Sequence, residues 1–313
     1  MADIVGAIAL SHSPFWDLGV PAADAPGRSF AESVIALRPR IAALDADAVV
    51  LFGPDHLRNF FYDMLPAWCI GVEQLTAIGD YGRRGGSFPV ASRLARDLFA
   101  KVSGSGFDPA ISYRMGMDHG MSQPCELLFP ADSPPLVPVM INANTSARPS
   151  LSRCHAFGQA VGAAIRQSDA AQRVLLIASG GMSHWVQSIL PDDPKLEPSL
   201  REYAINGRAE ARAYSARRDA SLAERIRAGV VGKVNEPWDR WVLAQFADSD
   251  CAALCACSDQ EIEGAAGNGA HELRAWVAAL GAWGRPLPTL AYEAVPRWVT
   301  GMGCVAAPAA LHP

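Results

Sequence analysis

The stretch IVGAIALSHSPFW, residues 4–16, runs from apolar residues into a histidine that stands between two serines and before a proline. A short apolar run that ends at turn residues is typical of a buried strand. His12 would then lie just past the carboxyl end of this strand, where α/β sheets bind their ligands. A single histidine there is more often a structural hydrogen-bonding residue than a ligand. The stretch therefore predicts an α/β fold, and the role of His12 depends on what the rest of the chain brings to it.

Other apolar runs, rich in Val, Ile and Leu, follow at residues 49–52, 136–141 and 174–178. Longer segments of helical character lie between such runs, for example residues 31–44 and 92–102. This alternation predicts a mostly parallel or mixed central sheet flanked by helices. The chain has 313 residues, 50% of them hydrophobic, and no readable linker. We therefore expect one domain over residues 1–313, with the tail after about residue 303 peripheral.

The charge and cysteine content exclude several classes of protein. The formal net charge is −5 and the Lys and Arg residues are scattered, which argues against nucleic acid or a membrane as a partner. The cysteines lack the spacing of a disulfide framework, and Cys251, Cys255 and Cys257 are expected to be small buried apolar residues. The amino terminus has no signal-peptide pattern, so we expect a cytoplasmic location. Residues 197–229, rich in Ala, Arg and Glu, predict one or two helices with a solvated charged face.

Three histidines share one position relative to the predicted strands. VVLFGPDH places His56 just past the second apolar run, and VLLIASGGMSH places His184 in a loop after another. Together with His12, they are expected at the carboxyl ends of strands. A fourth, His119 in MGMDHGMSQP, lies in a Gly- and Pro-containing segment that is interpreted as a loop. This repeated placement indicates a functional site.

Two histidines and one carboxylate on one face of a metal ion can hold Fe(II) and leave positions open for an organic substrate and O₂. Asp55, Asp118 and Glu126 lie near the histidines in sequence, but none of them is an obvious third ligand. Glu272, in GNGAHELRAWVAAL, is the better candidate, because it is expected in the first turn of a helix, away from its apolar stripe. A carboxylate there could instead only compensate the helix dipole. His271 would be its structural neighbour.

Seven ordered segments carry a resemblance to a known family. They are LSHSP, VVLFGPDHLRNFFYDMLPAWCIGV, MDHGMSQPCELL, ASGGMSH, NEPWDRWVL, HELRAWVAAL and VPRWVTGMG. With these segments the chain resembles the class III (LigB-type) extradiol ring-cleaving dioxygenases over nearly its whole length. Within that family it is most similar to the group that acts on 2,3-dihydroxyphenylpropionate.

The resemblance implies a single LigB-like domain in which His12, His56 and Glu272 bind Fe(II). It implies that His119 and His184 are acid and base residues, and we predict that His184 is the base and His119 the acid. The substrates would be O₂ and a catechol, of the 3-substituted kind, and the product a ring-opened 2-hydroxy-6-oxo-dienoate. Members of the family are oligomeric, so the resemblance also implies a homo-oligomer.

The substrate pocket is less well defined by the sequence. The family usually has a polar residue and a proline after the third histidine, whereas this chain has Trp185 and Val186. Trp185 is expected to line the pocket, although its indole could also pack outside it. Asp118 and Pro124 are further candidates for the pocket wall. Four arginines could bind a substrate carboxylate, with no basis for choosing among them: Arg58, Arg83, Arg84 and Arg297.

Three other functions compete with this one. A zinc-dependent hydrolase could use the same two histidines and glutamate with a metal-bound water. A serine hydrolase is suggested only by Ser183 beside His184, and GGMSHW lacks the second glycine of a nucleophile elbow. A non-catalytic interaction protein of the same fold would be expected to have lost part of the ligand set, and here the set is complete.

Overall fold

The structure is a computed structural model and describes residues 1–248 and 251–312. Nine strands in this part of the chain form one mixed sheet. They are β1 (Asp3–Leu10), β2 (Ala48–Gly53), β3 (Trp68–Ala77), β4 (Gly86–Phe88), β5 (Ala110–Met117), β6 (Leu136–Ile141), β7 (Arg173–Ser179), β8 (Thr289–Val295) and β9 (Thr300–Ala307). The order is β4-β3-β6-β2-β7-β1-β9-β8, with β5 paired to β3. The pairs within β6-β2-β7-β1 are parallel, and β1 and β9 are antiparallel.

Helices cover both faces of this sheet. They are α1 (Arg28–Ile35), α2 (Leu37–Ala43), α3 (Ser92–Ser103), α4 (His119–Leu128), α5 (Leu151–Arg166), α6 (Pro198–Asn206), α7 (Ala211–Arg227), α8 (Glu236–Ala247), α9 (Ala252–Cys255), α10 (Asp259–Ala266) and α11 (Leu273–Trp283). Ser150, Asn235 and Ser258 cap α5, α8 and α10, because each side chain accepts a hydrogen bond from a backbone N–H of the first turn. In the described residues, no helix is long and apolar enough to span a lipid bilayer.

Two hydrophobic cores lie on opposite faces of the sheet. Val50 and Phe52 of β2 pack in one core with α3, α5 and α11, whereas Val49 and Leu51 pack in the other with α1, α2 and α4. Alternate side chains of a strand point to opposite faces, so an unbroken apolar run can fill both cores. Each fully buried side chain of this size contributes roughly 1.5–3 kcal/mol to folding. The sheet between helical layers confirms the predicted fold class.

The predicted strands at 4–10, 49–52, 136–141 and 174–178 correspond to β1, β2, β6 and β7. The helical segment 31–44 is two helices, α1 and α2. Pro39 lies in the first turn of α2 and has no N–H to donate to the preceding turn, so one continuous helix cannot form there.

The expectation of a peripheral tail after residue 303 is wrong. Cys304 to Ala307 belong to β9, which is buried along its whole length and pairs with both β1 and β8. Leu311 is also fully buried. Small residues such as Ala306 fit between two helical layers, and β9 covers the edge that β1 would otherwise expose.

The interpretation of the His119 segment as a loop is also wrong, because it forms α4. Asp118 begins this helix, and its side chain accepts the backbone N–H of Gly120. Burial of most of the helix, including Pro124, favours the helical state over the local preference of Gly and Pro for turns. Residues 197–229 form α6 and α7, as expected, but Tyr203, Tyr214 and Leu222 are buried, so the segment is more than a solvated face.

Candidate metal centre

Three neighbouring parallel strands, β2, β7 and β1, bring three histidines together. His12 follows β1, His56 follows β2 and His184 follows β7. The ring centroids of His12 and His56 are 5.4 Å apart. Parallel strands end at the same edge of a sheet, so residues distant in sequence meet there. These histidines therefore lie where the sequence predicts them, just past the carboxyl ends of strands.

Glu272 reaches the same point from the other end of the chain. Its carboxylate oxygens lie 2.9 Å from Nε2 of His56 and 3.6 Å from Nε2 of His12. The backbone N–H of Gly181 donates to Oε2 at 2.6 Å. Glu272 is the last residue of a 3₁₀ turn, Asn268–Glu272, and stands just before α11 rather than in its first turn. Every residue of α11 is buried, including Arg274, which pairs with Asp259, so the helix is buried on all sides and not only along the expected stripe.

His119 is the fourth group in the cluster. Its ring stacks on that of His56 with centroids 4.4 Å apart, and ring nitrogens of His12, His56 and His119 all lie within 4.8 Å of one another. The Asp80 carboxylate accepts hydrogen bonds from the backbone N–H of His119 at 2.8 Å and from its Nδ1 at 2.7 Å. Because a carboxylate only accepts, Nδ1 carries the hydrogen and the lone pair of neutral His119 is on Nε2.

His12 and His56 are the rings nearest Glu272, and in each of them the ring nitrogen that faces away from Glu272 has a hydrogen-bond partner. Nδ1 of His12 lies 3.0 Å from Oγ of Ser179, and Nδ1 of His56 lies 3.1 Å from Oδ2 of Asp118. Each ring therefore turns Nε2 toward Glu272. Metal-binding histidines in proteins are commonly oriented by such hydrogen bonds on the other ring nitrogen.

The charges at this cluster match a cation site. Burial lowers the pKa of His12 to about 3, so this imidazole is neutral near pH 7. Burial opposes a charge on His56 as well, but Asp118 and Glu272 outweigh it and raise the pKa of His56. Burial alone would raise the pKa of Glu272, and the neighbouring His12 and His56 instead hold it low. These groups form a donor set that suits a divalent metal. The set consists of one neutral imidazole, one anionic carboxylate and a second imidazole with an exchangeable proton.

His184 stands beside this donor set with a defined ring orientation. Its Nδ1 donates to the carbonyl of Met182 at 2.9 Å, and its Nε2 lies 3.9 Å from Oε1 of Glu272. Asp239 holds the loop in place, because it accepts hydrogen bonds at 2.8 Å from both the backbone N–H and the hydroxyl of Ser183. The lone pair on Nε2 of neutral His184 is therefore directed toward the cluster.

A cavity of about 860 Å³ opens onto the cluster. Its wall includes the four histidines, Glu272 and Trp185. Asp118 and Pro124 do not line it, which corrects the expectation for both. Asp118 lies behind His56, and Pro124 is buried inside α4. Among the four candidate arginines only Arg58 is in the wall.

Two residues at the site were missed by the sequence analysis. Asp80 orients His119, and Tyr81 lines the cavity with its ring centroid 4.8 Å from that of His119. Tyr81 has a φ of 53°, a left-handed conformation that is uncommon for a non-glycine residue and often occurs at functional sites. The sequence signal for these two residues is an acidic residue among turn residues in IGDYGRRGG. This segment directly follows β3, a strand that the sequence analysis does not predict. His271 contacts Glu263 and Arg274 instead, and so is a structural neighbour of Glu272.

A buried cluster of histidines and a glutamate at the carboxyl edge of an α/β sheet defines a metal-dependent enzyme. Residues 6–303 match the family described as the catalytic LigB subunit of aromatic ring-opening dioxygenase. The chain belongs to this family, and it is a ring-cleaving dioxygenase that uses a bound metal, a small-molecule substrate and O₂.

Curated relatives agree with this assignment. A 2,3-dihydroxyphenylpropionate/2,3-dihydroxicinnamic acid 1,2-dioxygenase from Paraburkholderia xenovorans is 37% identical over 309 residues, with 95% of each chain covered. The enzyme of the same name from Escherichia coli K12 is 36% identical and covers 95% of this chain and 96% of its own. A solved structure of an uncharacterized Escherichia coli K12 protein covers 97% of this chain and 99% of its own at 14% identity, and its TM-score of 0.49 is too low to add to the assignment.

Proposed function

We propose that this protein is a non-haem Fe(II)-dependent extradiol dioxygenase. It would cleave a 3-substituted catechol such as 2,3-dihydroxyphenylpropionate with O₂ and release a 2-hydroxy-6-oxo-dienoate. The convergence of His12, His56 and Glu272 at the wall of one cavity is the observation that carries the proposal. The substrate that names the curated relatives supports the choice of catechol.

In this proposal His12, His56 and Glu272 hold the iron. Their Nε2 atoms and carboxylate face one another, and two imidazoles with one carboxylate leave coordination positions for both substrates. Bound Fe(II) would supply the one-electron chemistry that O₂ needs in order to react with a catechol. His119 is the competing third ligand by distance. The resemblance to the extradiol dioxygenases supports Glu272 as the ligand and an acid role for His119.

His184 and His119 would move the protons. Nε2 of His184 carries a lone pair beside the metal ligands and is suited to take a proton from a catechol hydroxyl. Nε2 of His119 would take up the proton of the second catechol hydroxyl and later donate it to the oxygen that departs as the ring opens. Asp80, which accepts the Nδ1–H of His119, would stabilise the imidazolium formed between these two steps. Tyr81 would help to exclude water from the same side of the cavity.

We also expect residues 1–313 to act as one extradiol dioxygenase domain, and the protein to be a cytoplasmic homo-oligomer. Light scattering of the purified protein after size-exclusion chromatography measures its oligomeric state. A monomer over the working concentration range would contradict the expectation.

The reaction is tested by anaerobic loading with Fe(II), followed by O₂ uptake with catechol, 3-methylcatechol, 2,3-dihydroxyphenylpropionate and protocatechuate. We expect O₂ uptake and a yellow product with the 3-substituted catechols. Protein loaded with Zn(II) is the control and should consume no O₂. Hydrolytic activity of the zinc form without dioxygenase activity of the iron form would favour the hydrolase instead.

The ligand assignment is tested by the iron content of Glu272→Gln and His119→Gln after identical loading. Glu272→Gln should lose iron, because a neutral amide replaces an anionic ligand. His119→Gln should keep iron and lose about 10²–10⁴-fold in kcat, the range for a lost acid or base. Iron loss from His119→Gln with retention by Glu272→Gln would exchange the two roles.

A further inference from the structure

The cavity has room beyond what a catechol ring occupies. Pockets for drug-sized ligands span roughly 300–1,000 Å³, and this cavity, at about 860 Å³, lies in the upper part of that range. The wall away from the metal ligands includes three cationic side chains, Arg218, Arg225 and Lys233. They come from α7 and from the segment that joins it to α8. The sequence predicts a solvated face for residues 197–229, which include Arg218 and Arg225 but not Lys233.

These three cations have no ion-pair partner among residues 1–248 and 251–312. The other cationic residues of the wall are engaged. Arg58 donates to the carbonyl of His56 at 2.7 Å, and Arg148 pairs with Asp259 and Glu263. Away from the metal cluster the cavity therefore carries an uncompensated positive charge.

Two of the three cations are held against aromatic residues that follow site histidines. The Arg225 guanidinium lies 5.0 Å from the ring centroid of Phe15, and Nζ of Lys233 lies 4.2 Å from that of Trp185. Phe15 follows His12 in the chain and Trp185 directly follows His184, and both rings line the cavity. The two aromatic rings thus extend the wall from the metal cluster to Arg225 and Lys233.

On the basis of the proposed function, we propose that Arg225 and Lys233 bind the carboxylate at the end of the substrate's ring substituent. The apolar part of the substituent would lie along Phe15 and Trp185. Guanidinium and ammonium groups form charge-assisted hydrogen bonds with a carboxylate, and a neutral substituent gains none of them. The pair would therefore make the enzyme select catechols with an anionic side chain. Arg83, Arg84 and Arg297 do not reach the cavity wall and have no part in this selection.

The experiment compares the iron-loaded wild type with Arg225→Gln, Lys233→Gln and the double variant. Each is assayed with 2,3-dihydroxyphenylpropionate and with 3-propylcatechol, which has a neutral chain of similar length. In the double variant we expect KM for the acid to rise about tenfold or more, the size of a lost hydrogen bond to a charged group. The KM for 3-propylcatechol and both kcat values should stay within about twofold. Equal changes for both substrates, or no change, would overturn the proposal.

Arg227→Gln is the matched control. Arg227 is exposed on the same helix, donates to the carbonyl of Ala223 and does not line the cavity. Its loss removes the same charge from the protein but should leave both KM values unchanged. A rise in KM for the acid as large as that in Arg225→Gln would show a general effect of net charge and so contradict a specific site.

A binding measurement separates this proposal from the proposed reaction. Calorimetric titration of the full chain with 3-phenylpropionate and with 3-phenylpropanol needs neither iron nor turnover. We expect the wild type to prefer the acid and the double variant to lose that preference. If the iron-loaded protein cleaves neither catechol, the proposed function fails, and this preference still supports the anion site. A wild type that does not prefer the acid overturns the anion site whatever the activity.

Discussion

At the scale of single residues, Asp118 shows how one side chain can serve several needs of the site. Its carboxylate accepts the backbone N–H of His56 at 2.6 Å, the Nδ1 of that ring at 3.1 Å and the N–H of Gly120 at the start of α4. Burial alone would raise the pKa of Asp118, but the adjacent His56 holds it well below its usual range. Asp118 therefore orients a proposed metal ligand without touching the cavity.

We expect Asp118→Asn to weaken metal binding by about 10- to 100-fold, the usual cost of losing a hydrogen-bonded partner behind a ligand. Asn still caps α4, so the helix should remain. Titration of the metal-free protein with Fe(II) against a competing chelator, under anaerobic conditions, measures the change. Asp169→Asn, at an exposed position paired with Arg93, is the control. Unchanged affinity in Asp118→Asn would contradict the role of Asp118.

Asp239 provides a prediction about pH. It is fully buried and accepts hydrogen bonds from Ser183 and Tyr292, and burial outweighs these bonds and raises its pKa from 3.8 to about 6. Between these values the native state binds more protons than the unfolded state. The contribution of Asp239 to stability therefore falls as the pH rises from about 4 to about 6.

Asp239→Asn should remove this part of the pH dependence. Relative to the variant, the wild type should lose on the order of 3 kcal/mol of unfolding free energy between about pH 4 and pH 7. Denaturant unfolding of both proteins across this range measures the difference. Asp55, whose pKa is also raised to about 6, is present in both proteins and cancels. A difference that does not change with pH would show that folding does not raise the pKa of Asp239.

At the scale of elements, the contact between α5 and α11 positions Glu272, because Glu272 directly precedes α11. Gly158 and Gly162 of α5 face the backbone of α11 at Ala278 and Ala282, and an added Cβ at either glycine would overlap a carbonyl oxygen there. The absence of a side chain thus lets the two helices approach closely.

Gly158→Ala should destabilise the fold by about 1–3 kcal/mol, because a backbone carbonyl of a packed helix cannot move aside cheaply. In an open helical position the same change stabilises. Gly264 of α10 is such a position, with nothing near an added Cβ, and Gly264→Ala should stabilise by about 0.4–1 kcal/mol. Urea unfolding of both variants measures whether the free energy of unfolding falls or rises relative to the wild type. Equal effects would mean that α11 can shift to accept the methyl group.

At the scale of the whole molecule, β9 closes the half of the sheet that carries the site. It pairs with β1, which leads to His12, and the N–H of Ser11 donates to the carbonyl of Gly303 at 2.8 Å. Oγ of Ser11 accepts the N–H of Gly303 and donates to the carbonyl of Gly301. The end of the chain therefore supports the loop that carries His12.

A chain that ends at Gly303 should not reach the native state, because it loses half of β9 and exposes the edge of β1. Circular dichroism and the cooperativity of thermal unfolding measure the loss. Removal of His312 and Pro313 alone is the control and should leave a cooperative transition. A folded, iron-binding protein that lacks residues 304–313 would show that these residues are peripheral after all.

Much of the site could be predicted from local sequence. Buried parallel strands are recognisable as apolar runs, and residues just past them meet at one edge, so the sequence predicts that His12, His56 and His184 lie together. Glu272 followed less directly, through the family resemblance and a helix start. The α4 helix, β9 and the other missed strands had weaker local signals, because their conformation depends on burial against the rest of the chain.

The sequence by itself determined the α/β class, the family and the edge of the sheet at which the chemistry takes place. Only the tertiary structure decided which groups touch: Asp80 behind His119, Asp118 behind His56, and Arg225 and Lys233 in the cavity wall. The reason is physical. A strand's apolar run is a local property of consecutive residues, whereas a contact such as that between Asp80 and His119 joins residues 39 positions apart and depends on how the chain between them folds.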